Sequence, residues 1–334
     1  MKSIHANRPT SLIKAFYFVS TFIVFSSTLL SLKAEEVVMS RQDFEDMLVE
    51  ISNWGRWGKD DQKGTLNFIT PEVRMKAAQL VTDGVAISLS RNADKEKSAD
   101  NGRPYTHTIR AAKATDGGSS DSISISPHGI AHTHIDALCH QLHQGKMYNG
   151  FSYKEITENG AHKNSILNQK EGIFTRAVLF DIPTLKGVRY LKGDTAIYPD
   201  DLEEWERRMG LRVQKGDIVL IRTGHWLDRE ENGPKRGPHP GIHASCMKCL
   251  HHREAAMVGS DLALDVEPSG IEGIRGPAHD LSIIAMGMPI LDAADFGPLS
   301  IECKKRQRWA FLLTMAPLAI PGATGSPVNP TAIF

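Results

Sequence analysis

Histidine is concentrated in one part of the chain: five of the fourteen histidines lie between positions 128 and 143. In an extended segment alternate residues share a face, so His132, His134 and Asp136 are expected to point the same way. Two imidazoles and a carboxylate on one face suit a divalent metal such as zinc or manganese. His140 follows Asp136 by one turn if the segment passes into a helix, and we predict that it moves a proton during catalysis.

Other interpretations of these side chains stay open. His-x-His pairs are common on protein surfaces, and a non-enzymatic exported protein could hold zinc with the same histidines. Such a protein fills its coordination sphere with its own ligands, whereas two histidines and an aspartate leave room for water, which favours an enzyme. A zinc or redox role for Cys246 and Cys249 is disfavoured, because no second cysteine pair accompanies them. A cysteine nucleophile is disfavoured as well, because Cys139 and His140 are adjacent and point apart in a strand.

Positions 130–140 resemble the signature H-x-G-T-H-x-D-x-P-x-H of the metal-dependent cyclase-like hydrolase family. The matching residues are Thr133, His134, Asp136 and His140. The departures are Ile130, His132 and Leu138, where the family has histidine, glycine and proline. Because His132 lies two residues after Ile130 and on the same face of a strand, we infer that it replaces the missing ligand.

The resemblance extends along most of the chain after position 35. The further matching segments are 64–67, 70–72, 176–181, 216–224, 259–261, 316–318 and 322–327. His279 and Asp292 resemble the histidine and glutamate that complete a second metal position in binuclear members. Aspartate stands here where glutamate is usual, with one extra residue between the two, so the number of metals, one or two, stays open.

The family includes bacterial kynurenine formamidase, isatin hydrolase and a trans-dienelactone hydrolase. The resemblance implies a swivelling β/β/α domain of the α/β class, with a mixed barrel-like sheet flanked by helices, in a homo-oligomer such as a dimer or tetramer. It also implies metal-dependent hydrolysis of the carbon–nitrogen bond of an amide or cyclic amide, with a lactone or ester as the alternative substrate. A bound zinc or manganese would lower the pKa of water toward 7 and polarise the scissile carbonyl.

Aromatic side chains are the candidates for contacts with a small-molecule substrate. Trp54 and Trp57 lie in a glycine-flanked loop, and Phe68 follows shortly after. We predict that the three stack on an aromatic or cyclic substrate. The alternative is that they anchor an N-terminal arm to the core or to a partner subunit.

The elements that must position these residues alternate between helix and strand, which predicts one α/β domain over residues 35–334. Expected helices cover 41–51 with Ser40 as N-cap, a segment starting at Pro71 with Thr70 as N-cap, 198–209 and a segment from 241 to about 258. Expected strands are 85–89, 176–182, 217–222 and 262–266. The stretch 91–122 is polar and rich in glycine and serine, so we expect a loop there.

Composition excludes several classes of protein. The 334 residues include 39 Lys+Arg and 39 Asp+Glu, with 41% hydrophobic residues, so neither a disordered chain nor a nucleic-acid-binding protein is expected.

Residues 1–34 combine basic residues with an uncharged apolar run, which predicts a signal peptide; an uncleaved membrane anchor is the alternative. The protein is therefore expected to be exported, periplasmic or secreted. No other membrane contact is expected, because the rest of the chain carries four more acidic than basic residues.

Overall fold

Nine strands form a curled half-barrel sheet that carries the functional side chains. The computed structural model describes Met1 and residues 38–112 and 117–334, and residues 38–334 form one unit. The expected signal peptide, 1–34, lies outside the described residues except for Met1. None of the helices in the described part of the chain has the length and apolar character needed to span a bilayer.

The strands are short and spread over the chain. They are β1 (Ala86–Ser88), β2 (Thr106–Arg110), β3 (Ser120–Ser124), β4 (His134–Asp136), β5 (Ile156–Thr157), β6 (Gly160–Ala161), β7 (Ile173–Asp181), β8 (Ala196–Ile197), β9 (Ile218–Arg222), β10 (Gly241–Ile242), β11 (Met257–Ser260), β12 (Ile290–Asp292), β13 (Ala310–Met315), β14 (Gly325–Pro327) and β15 (Thr331–Ile333). The main sheet has the order β1-β15-β13-β7-β9-β11-β12-β4-β14, and the pairs β2-β3, β5-β6 and β8-β10 form small separate sheets.

Helices flank the sheet. They are α1 (Arg41–Glu50), α2 (Pro71–Ala78), α3 (Ile182–Lys186), α4 (Pro199–Met209), α5 (His225–Asn232), α6 (Cys246–His252), α7 (Pro277–Asp280), which continues as a π-helix over Leu281–Met286, and α8 (Gly297–Arg306). Short 3₁₀ segments cover Gly64–Phe68, Tyr148–Gly150, Tyr153–Glu155 and Ile166–Gln169. The mixed sheet with flanking helices confirms the predicted α/β fold class.

The centre of the sheet is parallel and buried on both faces. β7, β9, β11 and β12 run parallel to their neighbours in this order, and the strands outside them pair antiparallel. All five residues of β9 are buried, as expected for a parallel strand that is covered by helices on both faces. The local capping signals also work as predicted: Ser40 forms a capping box on α1, and Thr70 caps α2 ahead of Pro71.

Two local predictions were wrong. The stretch 91–122 was expected to be a loop, but β2 and the start of β3 lie in it and pair as an antiparallel hairpin. The strands of this hairpin are largely exposed, so no buried apolar face marks them in the sequence.

The second error concerns residues 241–266, for which a helix followed by a strand was expected. The helix was expected to reach about Val258, but α6 ends at His252, and Glu254 adopts a positive φ of 51°. The strand that follows is Met257–Ser260, not 262–266. The residues of this strand, Met257–Ser260, are small or apolar and all buried. Such a run is compatible with a helix and with a strand, and only its pairing with β9 and β12 makes it a strand.

Candidate metal centre

Two paired strands bring three of the predicted ligands together. β4 lies antiparallel to β12, and in this register His134 stands opposite Asp292. Asp136, two residues after His134 and on the same face of β4, completes the group. The candidate ligand atoms of these three residues lie within 4.8 Å of one another, and all three side chains are buried.

His279 joins this group from the first turn of α7. Its Nε2 atom lies 3.1 Å from Oδ2 of Asp292 and 3.9 Å from Oδ2 of Asp136. On the other side of the ring, Nδ1 lies 2.5 Å from Oδ2 of Asp265. The backbone N–H groups of Ala278 and His279 also donate to the Asp265 carboxylate, so this carboxylate fixes both the start of the helix and the direction of the ring. Sequence reasoning missed Asp265, because it lies in the segment that was expected to be a strand.

A second group shares Asp136. It consists of His128, Asp136 and His140, whose candidate ligand atoms also lie within 4.8 Å of one another. The rings of His128 and His140 are stacked, with centroids 3.8 Å apart and planes 5° from parallel. His128 Nδ1 lies 2.8 Å from Oδ1 of Asp136, and His140 Nε2 lies 3.8 Å from Oδ2. His128, for which the sequence predicted no role, therefore lies inside the site.

The far side of the His128 ring contacts the strand that follows β4 in the sheet. His128 Nε2 lies 2.9 Å from the hydroxyl oxygen of Thr324. A Cβ atom at Gly325 would lie 2.7 Å from Cε1 of His128, so only glycine lets β14 approach this closely. The closing segment 322–327 thus positions the histidine stack.

His132 lies outside both groups. Its ring is buried, and Nε2 lies 3.4 Å from the backbone oxygen of Asp94. β4 begins only at His134, so the alternation of an extended strand does not reach back to His132. The backbone oxygen of His132 instead accepts a hydrogen bond from Nδ1 of His134 at 2.8 Å, which orients that ring. Ligation by His132 stays a prediction.

Burial and charge set the protonation of the two histidines that flank Asp136. Burial lowers the pKa of His134, but the hydrogen bond and the charge of Asp136 outweigh it, so the pKa is raised. Burial alone would raise the pKa of Asp136, and the hydrogen bonds from His128 and His134 hold it well below its usual range. For His140 burial dominates and lowers the pKa to about 4, which leaves the ring neutral at pH 7. At pH 7 the ring is in the form that can accept a proton, and a pKa this low makes it a weak base.

The residues present fit a divalent cation. Oδ1 of Asp292 is buried without a hydrogen-bond partner, whereas Nδ1 of His128 and Oδ1 of Asp136 contact each other at 2.8 Å. Buried carboxylate oxygens almost always have partners, so the Asp292 oxygen beside Asp136 and His134 requires a further explanation. A cation between imidazole and carboxylate ligands supplies it, because these are ligand types that zinc and manganese accept.

The groups line a cavity of about 910 Å³. Its lining includes the residues described above, His128, His132, His134, Asp136, His140, His279 and Asp292. Most of the remaining wall comes from residues 100–103, the start of α5, the loop 235–240 and the segment 262–276. The site therefore has room for a small-molecule substrate next to the candidate ligands.

The aromatic residues predicted to bind substrate do not line this cavity. Trp54 donates from Nε1 to the carbonyl oxygen of Ile284 at 2.7 Å. Trp57 packs edge-on against Phe68 with ring centroids 5.0 Å apart, and the Arg56 guanidinium lies over both rings. These contacts are those of the alternative, in which the aromatic residues anchor the N-terminal arm. Their contact with substrate stays a prediction.

Three of the four cysteines are buried, which suits the core better than catalysis. All four cysteines are free, and burial raises the pKa of the Cys139 thiol to about 12. A thiol is a poor nucleophile at that pKa.

His143 lies apart from the candidate ligands and pairs with Glu45 at 2.9 Å.

Comparison with known proteins agrees with the fold. A protein-family model described as "Putative cyclase" matches residues 63–266. A solved structure described as a novel cyclase is 30% identical, with a TM-score of 0.76; the match covers 85% of this chain and 99% of the other. No curated protein sequence matches the chain.

Two isatin hydrolases share the fold at lower identity. Isatin hydrolase A from Ralstonia solanacearum is 20% identical, with a TM-score of 0.54 and coverage of 79% of this chain and 97% of the other. An isatin hydrolase bound to the product analogue thioisatinate is 18% identical, with a TM-score of 0.53 and coverage of 76% and 93%.

Proposed function

Because the chain belongs to the cyclase family, we propose that it is a metal-dependent hydrolase that cleaves the carbon–nitrogen bond of an amide or cyclic amide. The observation that carries the proposal is the convergence of His134, Asp136 and Asp292, with ligand atoms within 4.8 Å and a buried Asp292 oxygen without a partner. The same residues line a cavity large enough for a small substrate, which favours a catalyst over a metal-storage protein.

His134, Asp136 and Asp292 would hold the metal, zinc or manganese, together with His279. Bound there, the metal would supply Lewis acidity, which lowers the pKa of water and polarises a carbonyl group. The protein residues keep the ligands in place: the Asp265 carboxylate orients His279, and the His132 carbonyl orients His134. Such supporting contacts raise both the affinity and the geometric precision of a metal site.

His140 would move the proton. Its ring is neutral at pH 7 because burial lowers its pKa to about 4. It accepts the proton that the attacking water loses as the new carbon–oxygen bond forms, and gives it to the nitrogen as the carbon–nitrogen bond breaks. The parallel stack on His128 fixes the plane of the ring, and a quarter of the His140 side chain stays accessible to the cavity.

The cyclic amide is favoured by the fold that the chain shares with the isatin hydrolases, one of which is bound to thioisatinate. A lactone or ester is the alternative substrate, because the same proton transfer serves an oxygen leaving group. N-formylkynurenine, isatin and small lactones together represent the three substrate types.

The test combines metal analysis with turnover. We expect His134→Ala to lose bound metal and to lose turnover of the active compound by at least about a hundredfold, because it removes one of the four proposed metal ligands. His162→Ala, which removes an exposed histidine, is the matched control and should keep both. Turnover that survives in metal-free protein would contradict the proposal, and so would full metal loading without turnover of any of the three substrate types.

We propose in addition that residues 1–34 direct export and that the mature chain forms a homo-oligomer. The basic start and the apolar run support the first part. The second part rests on the family resemblance alone, and size-exclusion chromatography with light scattering tests it.

A further inference from the structure

Two histidines of the cavity wall, outside the candidate metal ligands, each have a buried ring nitrogen without a hydrogen-bond partner. His225, the first residue of α5, is 7% exposed, and its Nε2 atom is buried without a hydrogen-bond partner. Nδ1 of His239 is in the same condition. Both residues line the cavity. Buried ring nitrogens are normally hydrogen-bonded, so two such atoms on one cavity wall indicate a position for a polar group of a ligand.

The carboxylates near these two histidines are already paired with basic side chains. Asp100 pairs with Arg229 at 2.5 Å, and Asp228 pairs with Lys235 at 2.6 Å. Glu267 lies 3.2 Å from Arg275 and 3.1 Å from His239. No acidic side chain that lines this wall is therefore left to attract a cation.

Two guanidinium groups on the same wall have no carboxylate partner among residues 38–112 and 117–334. Arg103 donates to the backbone oxygen of His128 at 3.2 Å, which ties it to the segment that carries the candidate ligands. Arg236 reaches back to the neighbouring segment, because its Nη2 atom lies 3.0 Å from the place of a Cβ atom on Gly102. Both arginines line the cavity. Their charges are not compensated, whereas the other cations of this wall are paired.

His225 adds a donor without adding charge. Burial lowers its pKa to about 4, so at pH 7 the ring is neutral and carries one N–H group. A guanidinium fork and a neutral N–H are suited to the two oxygens of a carboxylate. Asp136, Asp265 and Asp292, which line the same cavity, would repel this group unless a metal were bound beside them.

We propose that Arg236, Arg103 and His225 form an anion subsite, and that the substrate is an amide bearing a carboxylate away from its scissile bond. The inference rests on the proposed function, because it assigns the substrate class of the same cavity. The carboxylate lies at the basic wall, and the scissile amide lies at the candidate metal ligands. Substrates without the carboxylate lose the guanidinium contacts and bind more weakly.

The experiment compares 4-formamidobenzoate with formanilide, which differs only by lacking the carboxylate. For wild type we expect kcat/KM to be at least about tenfold higher for the anionic compound, which corresponds to about 1.4 kcal/mol. Arg236→Gln should reduce this preference about tenfold through KM rather than kcat, and Arg103→Gln should reduce it in the same direction. Raising the salt concentration should also weaken it. Arg74→Gln, which removes an arginine of α2 outside the cavity wall, is the matched control.

Calorimetric titration of the same two compounds separates this inference from the proposed function. If neither compound is hydrolysed, tighter binding of 4-formamidobenzoate that Arg236→Gln abolishes still supports the subsite, although the formamidase activity is then refuted. Equal affinity for the two compounds overturns the subsite, whatever the turnover. An equal loss for both compounds in Arg236→Gln overturns it as well.

Discussion

Replacing Asp265 with asparagine should weaken metal binding at the proposed centre, although Asp265 is not itself one of the proposed ligands. Its carboxylate holds His279 through three contacts: Oδ2 with ring Nδ1 at 2.5 Å, Oδ2 with the His279 N–H at 3.1 Å, and Oδ1 with the Ala278 N–H at 2.5 Å. The opposite ring nitrogen then faces Asp292 at 3.1 Å. The orientation of this nitrogen therefore depends on the carboxylate.

The expected magnitude follows from what asparagine can replace. The asparagine amide keeps one acceptor oxygen, so it cannot accept both from the Ala278 N–H and from the His279 ring and N–H. Its NH₂ group would face one of these donors. The negative charge that makes His279 more basic is lost as well. Loss of such a supporting carboxylate weakens a metal site by about 10- to 100-fold, or about 1.4 to 2.7 kcal/mol.

The assay is competition for zinc or manganese against a chelator of known affinity, with a thermal melt of the metal-free protein to check folding. Asp43→Asn is the matched control, because Asp43 also accepts a backbone N–H but lies in the exposed capping box of α1. An unchanged metal affinity in a folded Asp265→Asn protein would refute the argument. So would a loss as large in Asp43→Asn.

A second variant tests whether Asp265 acts through the ring. If it does, Asp265→Asn should change metal affinity little once His279→Ala has removed the ring, and the two effects should be far from additive. Additive losses would mean that Asp265 acts by another route, such as the field of its charge alone.

Three further predictions concern stability and processing. The pKa of His225 is depressed to about 4, so the stability that its neutral ring contributes is present above pH 6.5 and is lost as pH falls toward 4. The free energy of unfolding, measured by urea titration, should therefore fall by up to about 3 kcal/mol over this pH range. His225→Gln should reduce this pH dependence, and His162→Gln should leave it unchanged. Asp181→Asn should lower the free energy of unfolding by about 3 kcal/mol, because the fully buried Asp181 pairs with Arg222 at 2.8 Å, and a loss below 1 kcal/mol would contradict this reasoning. If the signal is cleaved after position 34, intact mass of the exported protein should show a chain that begins at Glu35, whereas the mass of the whole chain would indicate an anchor.

The sequence correctly predicted those elements whose formation depends only on residues adjacent in the chain. Ser40 and Thr70 were read correctly as helix caps, because a cap needs only a side-chain oxygen near the first free N–H groups. The strand that became β9 was predicted because an uninterrupted apolar run of this length is stable only when both of its faces are covered. The hairpin of β2 and β3 escaped detection, since its residues are exposed and carry no periodic apolar pattern.

In the candidate metal centre, too, some residues could be predicted from the sequence and others could not. The sequence predicted His134, Asp136 and His140 from their types and spacing, and the resemblance added His279 and Asp292. It could not show that His128 lies against Asp136, because the chain bends before β4 instead of continuing as a strand. Nor could it show Asp265, whose contact with His279 joins two segments that have no pattern in common.

The amino-acid sequence by itself therefore determined which side chains could bind a metal and which segments had to be buried. Only the tertiary structure decided which of them meet. The register of β4 against β12 sets His134 opposite Asp292, and the approach of β14 at Gly325 sets the place of His128. Such contacts depend on strand pairing between segments far apart in the chain, and the local alternation of residues specifies a face of a strand but not its partner.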